Sequence, residues 1–545
     1  MTAVDTDLES GALPQTGRHR SRSYFKRIPL WMRAIQVVVA LLFAFTVWRY
    51  AWVSDDALIT VRSALNTANG MGPVYNPGER VQAFTHPTWF GLMLLTGVVT
   101  QSWIYAPLFL SIVLATLAAA WLLWNTTQPS RLAFVSAGLL LSNSLVEWST
   151  SGLEGALAMV LTAAVFFSTT RSMKIISAIA VGVLAALLVL TRLDYVLLVA
   201  PMAVGIVWQQ WGRWRCLAKF GAAFFVPLIL WFGFALAYYG FALPSTFAAK
   251  TNTTIPRSDL IASGLNYLYV SFRFDPVILV IAVLVIVIVA TAGSLRSRLW
   301  LCGAIVYVVY VIWIGGDFMA GRFLALPLFV LLLTIGGDSS SPRKPLSDRL
   351  DTGERRWQTY LVFVGAVVLA ATCALHSDLL QSSLNAKELP PSRWGATSTE
   401  PPSSRMGVID ERAFYAAFGG ALDPLVSRTP LKNFYPATLG EVDAEANAWS
   451  FSSPEPLQKS VVGCGGLGST GLYYGSRTHI IDQCGLTDRF IAGLLFDPQG
   501  QPWRPGHFMR WMPEGYQDAI EHRDPSLLKS PHQREELRAL WNRIR

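Results

Sequence analysis

Charge is scarce in this chain. Asp, Glu, Lys and Arg make up 14% of its 545 residues, where a soluble domain carries roughly 25%. That shortage excludes an ordinary soluble globular fold. Histidine is rarer still, at seven residues, and cysteine at five. Their spacing nowhere approaches that of a zinc site, which excludes a structural zinc module. No Ser-His-Asp signal stands out. The run Gly463-Cys464-Gly465-Gly466-Leu467-Gly468 lacks the Lys-Ser/Thr of a phosphate-binding loop and reads as a set of turns.

What is plentiful is apolar. Hydrophobic residues form 52% of the chain, with 20 Trp, 29 Phe and 17 Tyr, and such rings gather at membrane–water interfaces. The apolar runs are long, recur along the chain and are parted by short polar breaks. This is the pattern of an α-helical polytopic membrane protein. The net charge of +9 is concentrated in the breaks: Arg18 to Arg33, Arg213 to Lys219, Arg296 with Arg298, and Arg343 to Arg356. Short basic breaks stay on the cytoplasmic side. They leave no basic stripe for nucleic acid.

Residues 1–28 are polar and without apolar pattern, and are expected to form a disordered cytoplasmic N-terminus. The first span, Trp31 to Trp52, ends without a small-residue cleavage site and reads as a retained signal anchor. Residues 53–86 then lie outside. Taking 87–124 as one long or re-entrant element, and closing with the stretch 358–376, gives about eleven spans within a membrane domain over 29–376. The remaining 377–545 has no membrane-length apolar run and falls outside as a mixed or β-rich domain. Cys464 and Cys484 there would meet an oxidising compartment, so a disulfide is expected, with two free thiols as the alternative. Cys216, Cys302 and Cys373 read as small buried hydrophobes.

Polar residues at membrane depth carry the chemistry. Asp55-Asp56 follows the first span directly. A carboxylate costs about 2.5–3.5 kcal/mol at a membrane helix centre, and two neighbours can divide the labour between taking a hydroxyl proton and holding a substrate hydroxyl or a metal. A helix-ending polar pair is the plainer reading. His86, in Phe84-Thr85-His86-Pro87, is a candidate hydrogen-bond partner for a sugar or phosphate, or a turn residue. Lys250 closes Leu243-Pro244-Ser245-Thr246-Phe247-Ala248-Ala249-Lys250. It either snorkels to water or offsets a lipid phosphate through the transition state. Asp317 and Arg322 flank the turn in Gly315-Gly316-Asp317-Phe318-Met319-Ala320-Gly321-Arg322 and must find partners. The fork of Arg322 suits phosphate. Glu147, Glu154, Arg192 and Asp194 read as internal ion pairs that hold the bundle together.

The order of these features resembles the GT-C glycosyltransferases, whose donors are polyprenyl-phosphate sugars. More closely, Asp55-Asp56-Ala57-Leu58-Ile59-Thr60-Val61-Arg62, Tyr75-Asn76-Pro77-Gly78-Glu79-Arg80-Val81, the Leu243–Lys250 motif and Gly315-Gly316-Asp317-Phe318-Met319 resemble one actinobacterial family of membrane arabinofuranosyltransferases. Cys484-Gly485-Leu486-Thr487-Asp488 and Pro505-Gly506-His507-Phe508 extend the likeness into the tail. The chain departs from that family's pattern at Leu58 and His86. The resemblance implies decaprenyl-phosphoryl-arabinofuranose as donor and the ends of arabinogalactan or lipoarabinomannan arabinan as acceptor, joined by a terminal β-(1→2) linkage. It makes Asp55 and Asp56 the catalytic pair, Lys250 and Arg322 the donor-phosphate contacts, and His86 and Asp317 substrate contacts. A divalent cation, Mg or Mn, held by Asp55 or Asp56 is a further expectation, as is acceptor binding by the outer C-terminal domain. The alternatives are a polyprenyl-phosphate mannosyl- or other hexosyltransferase of the same fold, and a non-enzymatic membrane or transport protein.

Overall fold

A computed structural model of the chain describes residues 28–169, 173–337, 365, 407–412, 459–476, 478–500 and 503–544. The expected disordered N-terminus, most of the span 358–376 and the bulk of 377–458 lie outside the described residues.

The described chain is a bundle of apolar helices with a polar cap. Helix α1 (Leu30–Arg49) leads into α2 (Asp55–Ala68), which Ser54 opens by accepting a hydrogen bond from the Ala57 amide. Next come α3 (Pro87–Thr100), α4 (Tyr105–Asn125), α5 (Pro129–Leu141), the one-turn α6 (Asn143–Glu147) and α7 (Gly155–Ser168). They are followed by α8 (Ile175–Thr191), α9 (Val196–Gln209), α10 (Trp214–Tyr239), the short α11 (Ser245–Thr251) and α12 (Arg257–Phe274). Helices α13 (Pro276–Ala292), α14 (Leu295–Trp313) and α15 (Arg322–Gly336) complete the bundle.

Among the described residues α1, α4, α10 and α14 are each long and apolar enough to cross a bilayer alone. Helices α12 and α13 meet at 103°, where Pro276 opens the second, and six apolar helices are shorter. The stretch 87–124, read from sequence as one long or re-entrant element, is two helices that turn back on each other. Gln101 turns the chain in the left-handed region at φ 56°, and the Trp103 ring lies on Gly97. At 14 residues, α3 rises about 21 Å, short of a hydrocarbon core of about 30 Å. The bundle's outer surface is apolar too: Phe225, Ile229 and Leu230 on α10 all face outward, as lipid contact requires.

The C-terminal part is a small α/β unit. Strands β1 (Lys459–Gly463) and β2 (Thr478–Asp482) pair in parallel, with Val461 opposite Ile480. Parallel neighbours need a crossover, which here is helix α16 (Leu467–Tyr474). Three further helices follow: α17 (Arg489–Gly493), α18 (Tyr516–His522) and α19 (Pro531–Ile544). Cys464 and Cys484 are disulfide-bonded, tying the end of β1 to the loop after β2.

This unit is bolted to the bundle. Buried Arg62 on α2 donates to the carbonyls of Tyr75, Gly471 and Thr478, each at 2.8 Å. Asn76 donates to the Ile480 carbonyl at 2.9 Å and accepts from the Ile480 amide at 3.0 Å, which continues β2 by one side chain. Arg510 donates to the carbonyls of Cys484, Leu494, Ala249 and Asn252. Residues of 53–86, 245–254 and 459–544 therefore meet at one face of the bundle.

Candidate active site

The site forms where the N-terminus of α2 meets the turn before α15. Asp55 and Asp56 occupy the first turn of α2, where the helix dipole favours negative charge. Successive residues on a helix point about 100° apart, so the two carboxylates separate. Asp55 turns toward the C-terminal unit. Its Oδ2 accepts from the Gly468 amide at 2.8 Å, and its Oδ1 from the Ser469 amide at 2.8 Å and hydroxyl at 2.7 Å. Burial pushes the Asp55 carboxyl above its usual range, against the pull of those donors. Asp55 thus caps α16 across the whole length of the chain.

Asp56 faces the other way. Its side chain is 30% exposed, and Oδ2 lies 3.4 Å from Nη1 of Arg322. The same Arg322 nitrogen is 3.5 Å from Asp317 Oδ2, and Nη2 is 3.9 Å from Glu154 Oε1. Glu154 also meets Arg192 at 3.2 Å and His86 Nδ1 at 3.1 Å. Arg192 reaches Asp194 at 2.8 Å, and His86 Nε2 lies 2.9 Å from the Thr60 hydroxyl. Asp317 is 2% exposed and accepts from the Phe318 amide through Oδ1. Burial raises its pKa, with Arg322 and Lys250 opposing. In this cluster Asp56 is the most accessible carboxylate.

Lys250 sits in the last turn of α11 with its side chain exposed. Its charge acts on Asp317, Arg322, Arg192 and Asp56 through space, and no carboxylate lies within ion-pair distance among the described residues. Its ammonium passes beside Gly506, where an added Cβ would stand 3.6 Å away. Next to Gly506, the His507 ring meets Phe318 edge-on at 4.4 Å, and Arg504 lies over the same Phe318 at 4.7 Å. The tail thus contributes His507 and Arg504 to the rim. Buried Glu411 approaches as well, within electrostatic range of Asp56 and Arg504.

The residues proposed from sequence fall into three places. Asp56, Arg322 and Asp317 meet directly, His86 joins them through Glu154, and Lys250 stands at the rim. Asp55 is engaged elsewhere. Of the four residues expected to form internal ion pairs, Glu154, Arg192 and Asp194 are paired and belong to the site cluster rather than to a separate brace, while buried Glu147 has no ion pair among the described residues. Sequence reasoning missed Ser469, Glu411, Arg504 and His507. A signal existed for His507, which lies in the tail motif that carries the family likeness. A protein-held Mg or Mn fits poorly. Asp55 has both oxygens occupied, and among the described residues no group of three or more His, Cys, Asp or Glu side chains is arranged for a metal.

Apolar helices enclosing a buried acid–arginine cluster, with accessible Asp56 and, among the described residues, a Lys250 without an ion pair at its mouth, define a multi-pass membrane protein with an enzyme-like polar site. Two curated relatives carry the same name. The terminal beta-(1->2)-arabinofuranosyltransferase of Mycobacterium tuberculosis is 27% identical over 541 residues, covering 86% of this chain and 82% of its own. The protein of that name from Corynebacterium glutamicum is 28% identical over 352 residues, covering 55% of this chain and 50% of its own. The resemblance to the arabinofuranosyltransferase family read from the motifs therefore holds over most of the chain. No established family profile matches it, and no solved structure does.

Proposed function

We propose that this protein is a membrane glycosyltransferase of GT-C type that transfers arabinofuranose to the non-reducing ends of cell-wall arabinan through a terminal β-(1→2) linkage. The donor is a polyprenyl-phosphate sugar, decaprenyl-phosphoryl-arabinofuranose. The active site and the C-terminal unit face the extracytoplasmic side of the cytoplasmic membrane. The arabinofuranosyltransferase names of both relatives support the reaction. The observation that carries the mechanism is the opposition of accessible Asp56 to Arg322 and Lys250 at the mouth of an apolar bundle.

In this reading an acceptor hydroxyl oxygen attacks the anomeric carbon while the bond from that carbon to the phosphate oxygen breaks. The hydroxyl proton passes to Asp56 as general base. The leaving phosphate keeps the bonding pair, and Arg322 and Lys250 offset the charge it gains. His86 and Asp317 orient substrate hydroxyls, each held in place by Glu154 or Arg322. Asp55 positions its neighbour by fixing the first turn of α2 against α16. The apolar bundle surface accommodates the polyprenyl chain, and the C-terminal unit presents the polysaccharide.

The test is transfer from radiolabelled decaprenyl-phosphoryl-arabinofuranose to a synthetic arabinan acceptor in membranes, with Asp56→Asn as control. Transfer by the unaltered protein and its loss in the variant are expected. Transfer from a polyprenyl-phosphate mannose instead would make the protein a hexosyltransferase of the same fold. No transfer from either donor would overturn the enzymatic reading.

A further inference from the structure

The end of α10 at Tyr239 carries a second concentration of positive charge. Arg80 follows the Tyr75–Glu79 turn, Arg489 opens α17, and Arg543 lies in the last turn of α19. Phe241, two residues past α10, is flanked by two of them. The guanidinium carbon of Arg489 is 4.0 Å from its ring centre, and that of Arg543 is 5.0 Å away. Arg80 lies over Tyr238 at 5.0 Å. Among the described residues all three have aromatic rings as partners and none has a carboxylate within ion-pair distance. The adjacent acid, Asp488, points inward, accepting from the Ile491 amide and the Tyr516 hydroxyl. A small cavity lies between Arg80 and Arg489, lined also by Tyr239, Phe241 and Ser245, and Arg543 joins it through the Phe241 ring.

The turns of α10 that lead to this cluster carry an exposed apolar face. Phe234 and Leu236, on the turns just before its end, are among its exposed apolar side chains. Guanidinium groups with no carboxylate in ion-pair distance among the described residues, set at the end of an apolar helix face, attract phosphate at headgroup depth. A planar guanidinium fork that rests on a ring can still donate through its N–H edges.

We propose that Arg80, Arg489 and Arg543 form a binding site for the phosphate of an anionic phospholipid, separate from the acid–arginine cluster. Such a lipid clamps α17 and α19 to the membrane beside α10. It holds down the unit that supplies Ser469 to Asp55 without touching the reacting groups.

The full-chain protein, extracted in mild detergent, is offered phosphatidylglycerol, phosphatidylcholine or inorganic phosphate and weighed intact by native mass spectrometry. Retention of phosphatidylglycerol at least tenfold above phosphatidylcholine is expected. Arg489→Gln with Arg543→Gln should bring it to the phosphatidylcholine level, and the two Lys replacements should keep part of the preference. Equal retention of both lipids overturns the proposal. So does a double Gln variant that matches the parent in circular dichroism and retains phosphatidylglycerol unchanged. An adduct of inorganic phosphate alone marks a free-anion site and overturns the lipid assignment. Arg80→Gln, at an exposed side chain, gives the same reading should the double variant fail to fold. Because lipid retention is measured without turnover, the outcome is independent of which sugar is transferred.

Discussion

Asp55 and Ser469, 414 residues apart in the chain, are joined by two hydrogen bonds, from the serine amide at 2.8 Å and its hydroxyl at 2.7 Å. The contact assigns different work to two adjacent carboxylates. Asp56→Asn should nearly abolish transfer while leaving thermal unfolding unchanged, because a neutral amide cannot accept the acceptor's proton. Asp55→Asn should lower stability by about 1.5–3 kcal/mol, the worth of a hydrogen bond to a charged group. It should also loosen 459–544 toward protease. Initial rates alongside limited proteolysis separate the two. Equal melting losses in both variants would refute the division.

Lys250→Gln should reduce kcat/KM by about 10²–10³, by analogy with the loss of a transition-state donor. Lys250→Arg should recover part of it, since charge returns with altered reach. Rates at varied donor and fixed acceptor decide the matter. A near-normal Lys250→Gln enzyme would leave phosphate binding to Arg322.

Buried Asp482 gives the C-terminal unit a pH dependence. Burial lifts its carboxyl to about 6, although the Thr487 and Cys484 amides pull it down. A carboxyl raised on folding binds its proton more tightly in the native state. Its stabilising contribution is therefore full below the unfolded value of about 3.9 and is lost as pH rises through about 6. Melting temperature should fall between pH 4 and 7, and Asp482→Asn should flatten that fall. An unchanged slope in the variant would assign the dependence to other groups.

The disulfide closes a loop with a sequence separation of 20, worth about 3 kcal/mol in the chain-entropy model. Cys464→Ser with Cys484→Ser should lower the melting temperature and speed proteolysis of 459–544. Transfer should be lost with it, since α16 begins three residues after Cys464.

The long α10 supplies a topology test. The Tyr239 hydroxyl donates to Pro73 at 2.8 Å on the site face, while Arg213, Arg215 and Lys219 crowd the opposite end, which basic residues keep cytoplasmic. In intact cells an impermeant thiol reagent should label Ala68→Cys and Asn542→Cys but not Arg215→Cys. Labelling at 215 would reverse the orientation.

Much of this site was legible in the sequence because charge stands out against apolar runs. Asp56, Lys250, Asp317 and Arg322 were singled out by membrane depth alone, and the structure draws all four into one electrostatic cluster. What the sequence withheld was direction. Nothing in Asp55-Asp56 says which carboxylate turns toward Ser469, because the partner lies hundreds of residues away. Gly468 reads as a turn residue, and Gly471 carries no signal of its own. Their lack of a side chain lets α16 press against α2, where an added Cβ at Gly471 would meet Arg62 Nη1 at 2.7 Å. Arg62 itself looked like one more cation of the motif, yet it is fully buried and holds three carbonyls. For 87–124 the sequence leaves one long and a re-entrant element open, because apolarity on both sides of Gln101 says nothing of the backbone turn between α3 and α4.

Bolting α2 to the last stretch of the chain also sets a schedule for biogenesis. Asp56 emerges from the ribosome among the first sixty residues, long before α16 has been made. Until β1, α16 and β2 pack against α2, Asp55 lacks its capping partners and Arg62 two of its three carbonyls. A nascent chain can thus hold Asp56, Lys250 and Arg322 in the bilayer while its first acidic turn is still unbraced. On the proposed function, transfer therefore waits on the packing of the last stretch of the chain against α2.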